Sequence, residues 1–233
     1  MVGTVRRVGP RGKAGEAGSD RSYDVFISYA HVDDSEGLAT LLQDTLRSIG
    51  KPWHRRGALR VFRDQTALSA SPALWDSITG AMDESAWFVL VASPAAAASS
   101  WVDKEVAHWL ATRGPDRLLT VVVDGTWTWN ADRQGFDPTE STAVPPSLRS
   151  AFAQEPRHLD LTWVREEPAL TVRTPRWRDQ IAELAAPIHG VAKDNLTGID
   201  LREHRRTLRM ARAAAVVLGV LALVAASAAV MAV

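Results

Sequence analysis

The sequence predicts an α/β domain, a parallel sheet covered by helices on both faces, followed by a single transmembrane helix. Three observations carry this. From Tyr23 onward, short apolar runs of strand character alternate with segments whose apolar residues recur at helical spacing. The strand-like runs are apolar almost throughout, as strands buried on both faces are. Finally, Ala213 to Val233 is a run of 21 residues without a charge, ~31 Å long as a helix and so about as thick as the hydrocarbon core of a bilayer.

The elements follow in order. Tyr23–Tyr29 (YDVFISY) reads as a buried strand. Ser35–Ile49 is a helix by the spacing of Leu38, Leu41, Leu42, Leu46 and Ile49, stopped by Gly50 and Pro52. Leu59–Phe62 is a second strand, followed by a polar loop over Arg63–Ser71. Pro72 opens a helix through about Glu84, with Leu74, Ile78 and Met82 four apart. Trp87–Ala92 is a strand, Ser99–Thr112 a helix, Leu118–Val123 a strand and His158–Val164 a weaker one. Trp177, Ile181, Leu184, Ala185 and Ile188 mark the last amphipathic helix. Between strands, Asp124–Pro156 reads as a long loop with one helical turn around Ser147–Phe152. Its Trp127 and Trp129 are expected to pin it to the body of the domain.

Composition is that of a globular chain, with 46% hydrophobic and 23% charged residues. The absence of cysteine excludes disulfide scaffolds, thiolate metal sites and cysteine nucleophiles. The formal charge is zero, but it is a sum of unlike parts. Residues 1–22 and 199–212 each carry five basic and two acidic side chains, leaving residues 23–198 acidic. The glycine-rich leader, residues 1–22, lacks the large apolar residues that would offset its ordering entropy and is expected to be disordered. It is no signal peptide, since no apolar run follows its charges. Arg202, Arg205, Arg206, Arg209 and Arg212 precede the apolar run and place the domain on the cytoplasmic side of a membrane. The expected organisation is thus a leader (1–22), a folded domain (23–190), a basic linker (191–212) and a membrane span (213–233).

In an open parallel sheet the ligand crevice lies beyond the carboxyl ends of the strands. Asp33 and Asp34 follow the first strand there, and Asp64 follows the second. Glu105 lies one turn into the helix after the third strand, four residues after Trp101. Residues four apart share a helix face, so an indole beside the carboxylate would partly desolvate it; on spacing alone an exposed helix glutamate is the alternative. Ser100 and Asp103 stand in the relation of a helix cap and its third residue, which provides Asp103 with a structural role. No G-x-G-x-x-G, G-x-x-x-x-G-K-[ST] or G-x-S-x-G motif is present, and the six histidines show no paired metal-ligand spacing. A phospho-accepting response regulator would need an aspartate ending the third strand, where this chain has Ala92-Ser93-Pro94.

Four pieces of the chain together resemble a Toll/interleukin-1 receptor (TIR) domain of the bacterial branch. Tyr23-Asp24-Val25-Phe26-Ile27-Ser28-Tyr29 with Asp33-Asp34 looks like its opening strand and loop. Val61-Phe62-Arg63-Asp64, with Leu68, Trp75 and Ile78 beyond, is similar to the second strand and BB loop. Ser85, Val89, Val91 and Ser93 match the third strand, and Ser100-Trp101 with Glu105 matches the serine–tryptophan–glutamate signature of the next helix. Two departures stand out: Ala70-Ser71-Pro72 replaces the usual BB-loop glycine, and Val102 stands where a cysteine often follows the tryptophan.

The resemblance implies a flavodoxin-like, doubly wound five-stranded parallel sheet of order 2-1-3-4-5. It also implies cleavage of NAD+ at the nicotinamide–ribose bond when protomers cluster, in bacterial defence or stress signalling. Glu105 matches the catalytic glutamate; Ser28, Tyr29, Asp33, Arg63, Asp64, Ser100 and Trp101 match substrate-contacting positions. NAD+ would be substrate, with no cofactor or metal. The partners expected are a second TIR domain and, through 213–233, a lipid bilayer, with no nucleic acid. The alternative within the family is a non-catalytic adaptor that self-associates through the BB loop, Arg63–Ala73.

Overall fold

A computed structural model describes residues 22–32, 35–49, 59–63, 74–167, 169–194 and 196. Residues 1–21 of the leader, Asp33, Asp34, Asp64, most of the BB loop, most of the basic linker and the apolar run 213–233 lie outside the described residues. Among the described residues no helix is long and apolar enough to cross a membrane.

The strands are β1 (Tyr23–Ser28), β2 (Val61–Arg63), β3 (Ser85–Ala92), β4 (Leu118–Val122), β5 (Trp129–Asn130), β6 (Gly135–Phe136) and β7 (His158–Asp160). The helices are α1 (Ser35–Ser48), α2 (Leu74–Asp83), α3 (Pro94–Ala98), α4 (Ser100–Arg113) and α5 (Pro175–His189). Five strands pair in the order β2-β1-β3-β4-β7, all parallel. This is the expected doubly wound order, with β7 in the place of the fifth predicted strand. β5 and β6, too short to be legible as strands, form a separate antiparallel pair inside the expected loop.

Alternation along the strands divides the core into two layers. Val25, Ile27, Tyr29, Val89 and Val91 face α1 and α5, where Leu42, Leu46, Trp177 and Ile181 are buried. Phe26, Ala30, Phe88, Leu90 and Ala92 face α2, α3 and α4, against Ile78, Met82, Val102, Val106 and Trp109. On that side Phe88 stacks on Phe26 and meets Trp109, with ring centroids 5.5 and 5.4 Å apart. Each fully buried side chain of this size contributes about 1.5–3 kcal/mol of transfer free energy. On the opposite side the buried Trp177 indole donates to Thr45 Oγ1 at 2.7 Å, which ties α5 to α1 without leaving a polar atom unpaired.

Three local features differ from expectation. A short helix, α3, precedes α4: Pro94 sits in its first turn, and Ser93 Oγ accepts from the Ala96 amide at 3.1 Å. The last strand ends at Asp160 instead of Val164. The Asp160 carboxylate accepts from the Thr162 amide and hydroxyl at 2.9 and 2.8 Å, turning the chain into a 3-10 helix over Thr162–Glu166. The amide bond from Thr162 holds that carboxyl below its ordinary range. In the segment after β4, Trp127 and Trp129 both pack on Phe136, at 4.7 and 5.2 Å, as residues that pin a loop do. At its start Gly125 has φ +80°, and a Cβ there would lie 2.6 Å from Thr142 Oγ1 and 2.9 Å from Pro94.

Candidate active site

The site is built where β1 ends against the first turns of α4. Ser28 is the last residue of β1 and points to the α4 side of the sheet, the face shared by Phe26 and Ala30. α4 starts at the carboxyl end of the sheet because α3 ends at Ser99. The same residue closes α3 and caps α4, with its side chain accepting from the Val102 amide at 3.3 Å. This corrects the expected cap. Ser100 is the first residue of the helix and is exposed. Asp103 lies outside a capping box; its carboxylate accepts from the Ser147 amide at 2.7 Å and anchors the 3-10 helix Pro146–Leu148 to α4.

One turn further along α4, Glu105 turns inward. It is 1% exposed, and its Oε2 accepts from Ser28 Oγ at 2.5 Å, across 77 residues of sequence. The carboxylate is therefore a buried, hydrogen-bonded group, not an exposed helix glutamate. The hydroxyl it meets belongs to the last residue of β1. A hydroxyl aimed at a carboxylate is among the stronger hydrogen bonds in proteins, contributing about 1.5–3 kcal/mol. Trp101, one turn earlier on the same helix face, is partly buried in the layer with Ala96 and Val102. Its ring meets Trp75 of α2 edge-on, 5.5 Å away at 85°. Its Nε1 is buried and has no hydrogen-bond partner among the described residues.

The remaining predicted residues are sent elsewhere by the pleat. Tyr29 lies on the α1 side of the sheet, one residue and one face away from Ser28. Arg63 pairs in register with Ile27 and so takes that same side. Its guanidinium donates to Thr40 Oγ1 of α1 at 2.6 Å and stands 5.8 Å from the Tyr29 ring centroid; His31 is 4.5 Å from that ring. The structure thus joins Ser28, Trp101 and Glu105 in one group and Tyr29 and Arg63 in another. Asp33 and Asp64 lie outside the described residues. Two residues that sequence reasoning passed over, Ser99 and Trp75, complete the α4 side. Ser99 carries a legible signal, as a serine at the predicted start of a helix; Trp75 is legible only as part of the resemblance to the BB-loop region. A cleft of about 600 Å³ lies at the other end of the sheet, beside Leu119, His158 and Pro187, and is no part of this group. Among the described residues no cluster of histidine and acidic side chains forms a metal site.

With this geometry established, the comparison with known families is decisive: the TIR-domain profile matches residues 25–154, more than half of the chain. The chain belongs to the TIR-domain family. The TIR fold explains why Glu105, on the helix after β3, meets the carboxyl end of β1. Over 207 residues, 88% of its length, the chain is also 54% identical to the NAD(+) hydrolase ApTIR of Actinoplanes sp.. It spans only 29% of that protein.

Proposed function

We propose that this TIR domain cleaves NAD+ at the nicotinamide–ribose bond, with Glu105 as the catalytic residue. The observation that carries the reading is the buried carboxylate at the carboxyl end of the sheet, oriented by Ser28 at 2.5 Å. The similarity to an NAD(+) hydrolase supports it.

The chemistry suits one fixed carboxylate. The bond from ribose C1′ to the pyridinium nitrogen breaks, and its electron pair neutralises the ring, so nicotinamide leaves without needing a general acid. Positive charge builds on the ribose in an oxocarbenium-like transition state, as in glycoside hydrolysis. A carboxylate already oriented in a site of low polarity offsets that charge without reorganising at the moment of reaction. Water, or a nucleophile within the ADP-ribose itself, then bonds to C1′ and gives up a proton. Trp101 lines the approach, and Ser28 keeps Glu105 in one rotamer.

The proposal extends to the setting expected from sequence. Protomers cluster through their TIR domains, residues 213–233 anchor the chain as a single span, and the domain is cytoplasmic, serving defence or stress signalling. The uncharged run and the five arginines before it support the anchor and its orientation. The decisive experiment follows nicotinamide release from NAD+ by the full chain, concentrated to favour clustering. Release that Glu105→Gln abolishes is the expected result. Activity surviving that substitution would remove Glu105 from the mechanism, and no release in any clustered form would favour an adaptor.

A further inference from the structure

α4 carries Trp101, Lys104 and His108 along the edge it presents to α2, at i, i+3 and i+7. Lys104 Nζ lies 3.7 Å from the ring centroid of Trp75, the second residue of α2, and 5.7 Å from that of Trp101. The two indoles meet edge-on. Below them His108 faces the Trp75 ring at 6.1 Å and bonds to Asp83 at 3.0 Å, and Arg113 donates to the Asp83 carbonyl. The strip therefore runs along the α2–α4 seam, and its Trp101 end lies one turn from Glu105. Lys104 itself is exposed, and the helices are joined beneath it by Ile78, Met82, Val102 and Val106. Holding the two helices together does not require it.

We infer that Lys104 is a positioning residue: its ammonium braces the Trp75 and Trp101 indoles and so holds Trp101 in place at the approach to Glu105. The inference rests on the NAD+-cleaving reading above, since Trp101 needs a fixed place only where a substrate meets it. An ammonium over an indole face is attracted by the ring quadrupole, and at an exposed position such a contact corresponds to about a two- to five-fold effect on an equilibrium. Losing the charge frees Trp101 to leave its place, which weakens substrate binding more than the chemical step, because Glu105 is held separately by Ser28. Arginine retains both the charge and affinity for an aromatic face.

The test uses the full chain in detergent. Steady-state nicotinamide release gives KM and kcat, and calorimetric titration of the Glu105→Gln chain with NAD+ gives a Kd independent of turnover. Lys104→Met should raise KM and that Kd about two- to five-fold, change kcat less, and leave Tm in place; Lys104→Arg should restore both. Unchanged KM and Kd would overturn the role of Lys104 while leaving NAD+ cleavage standing. So would a lowered KM, which would mean that the ammonium competes for the indoles, or a parallel loss of kcat and Tm, which would mark a structural residue. An unsubstituted chain that neither binds NAD+ nor releases nicotinamide would overturn the reading of the site and this inference with it.

Discussion

Ser28 and Tyr29 are neighbours in sequence and lie on opposite sides of one sheet. On the α4 side, Ser28 holds a carboxylate that is 1% exposed, beside an indole whose Nε1 is sealed from solvent. On the α1 side, Tyr29 gathers His31 and an arginine that is bonded to a helix hydroxyl. One face holds a buried carboxyl group; the other carries a guanidinium beside two aromatic rings in a part-exposed setting. Electrostatic interactions strengthen as water is excluded, so under the proposed function a developing cation belongs on the α4 face. Residues equivalent in a linear motif are thus not equivalent in chemistry, because the pleat separates them.

Substitutions on the two faces should differ in size, and the largest effect belongs to Glu105. Glu105→Gln preserves shape and an acceptor for Ser28 but removes the charge. The kcat for nicotinamide release should fall by about 100- to 1000-fold, the range seen when a preorganised electrostatic group is lost. Next comes Ser28→Ala, which removes the hydroxyl that donates to the buried carboxylate. A cost of about 1.5–3 kcal/mol should appear as at least about a ten-fold loss of kcat and as a lower Tm in thermal denaturation. On the other face, Arg63→Gln removes the bond to Thr40 and should change kcat by less than about three-fold, since guanidinium and Glu105 sit on opposite sides of the sheet. An Arg63 variant as impaired as Glu105→Gln would break the comparison, by showing that both faces act on one substrate.

The smallest effect concerns stability on the α1–α5 side. Burial holds the His189 imidazole below its ordinary value of 6.5, against the opposing hydrogen bond of the Ile49 backbone and the charge of Asp24. The unfolded chain therefore takes up that proton before the folded one does. The corresponding stability is present above pH 6.5 and is lost as pH falls from there through the lowered folded value. Urea denaturation across this window should show the loss in the unsubstituted chain and a shallower one in His189→Gln.

Much of the architecture was legible along the chain. Buried parallel strands announce themselves as short apolar runs, and Leu42 and Leu46, or Ile78 and Met82, mark helix faces because periodicity is a local property. Helical spacing puts Glu105 on the same face as Trp101, one turn away, but its candidacy comes from the resemblance to the TIR serine–tryptophan–glutamate signature. What escaped were features set by competition between close alternatives or by distant partners. Ser99 and Ser100 are equally good caps in sequence; the chain ends α3 at Ser99, which leaves that residue extended and assigns it the α4 cap. Asp160 sits inside an apolar run of strand character, and nothing in that run announces the two hydrogen bonds from Thr162 that end the strand, because they depend on a carboxylate folding back on the following backbone.

Spacings of a few residues are enough to set the alternation of elements and the helix face that carries Trp101 and Glu105, and the resemblance to the TIR family supplies the strand order. What Glu105 touches depends instead on packing between distant parts of the chain. Its partner Ser28 is 77 residues away, brought to it because β1 lies beside β3 in the sheet and α4 covers the face on which Ser28 projects. The same packing turned Arg63 toward α1, where no local spacing could have sent it, because the face a strand residue occupies depends on the register of its strand with its neighbour.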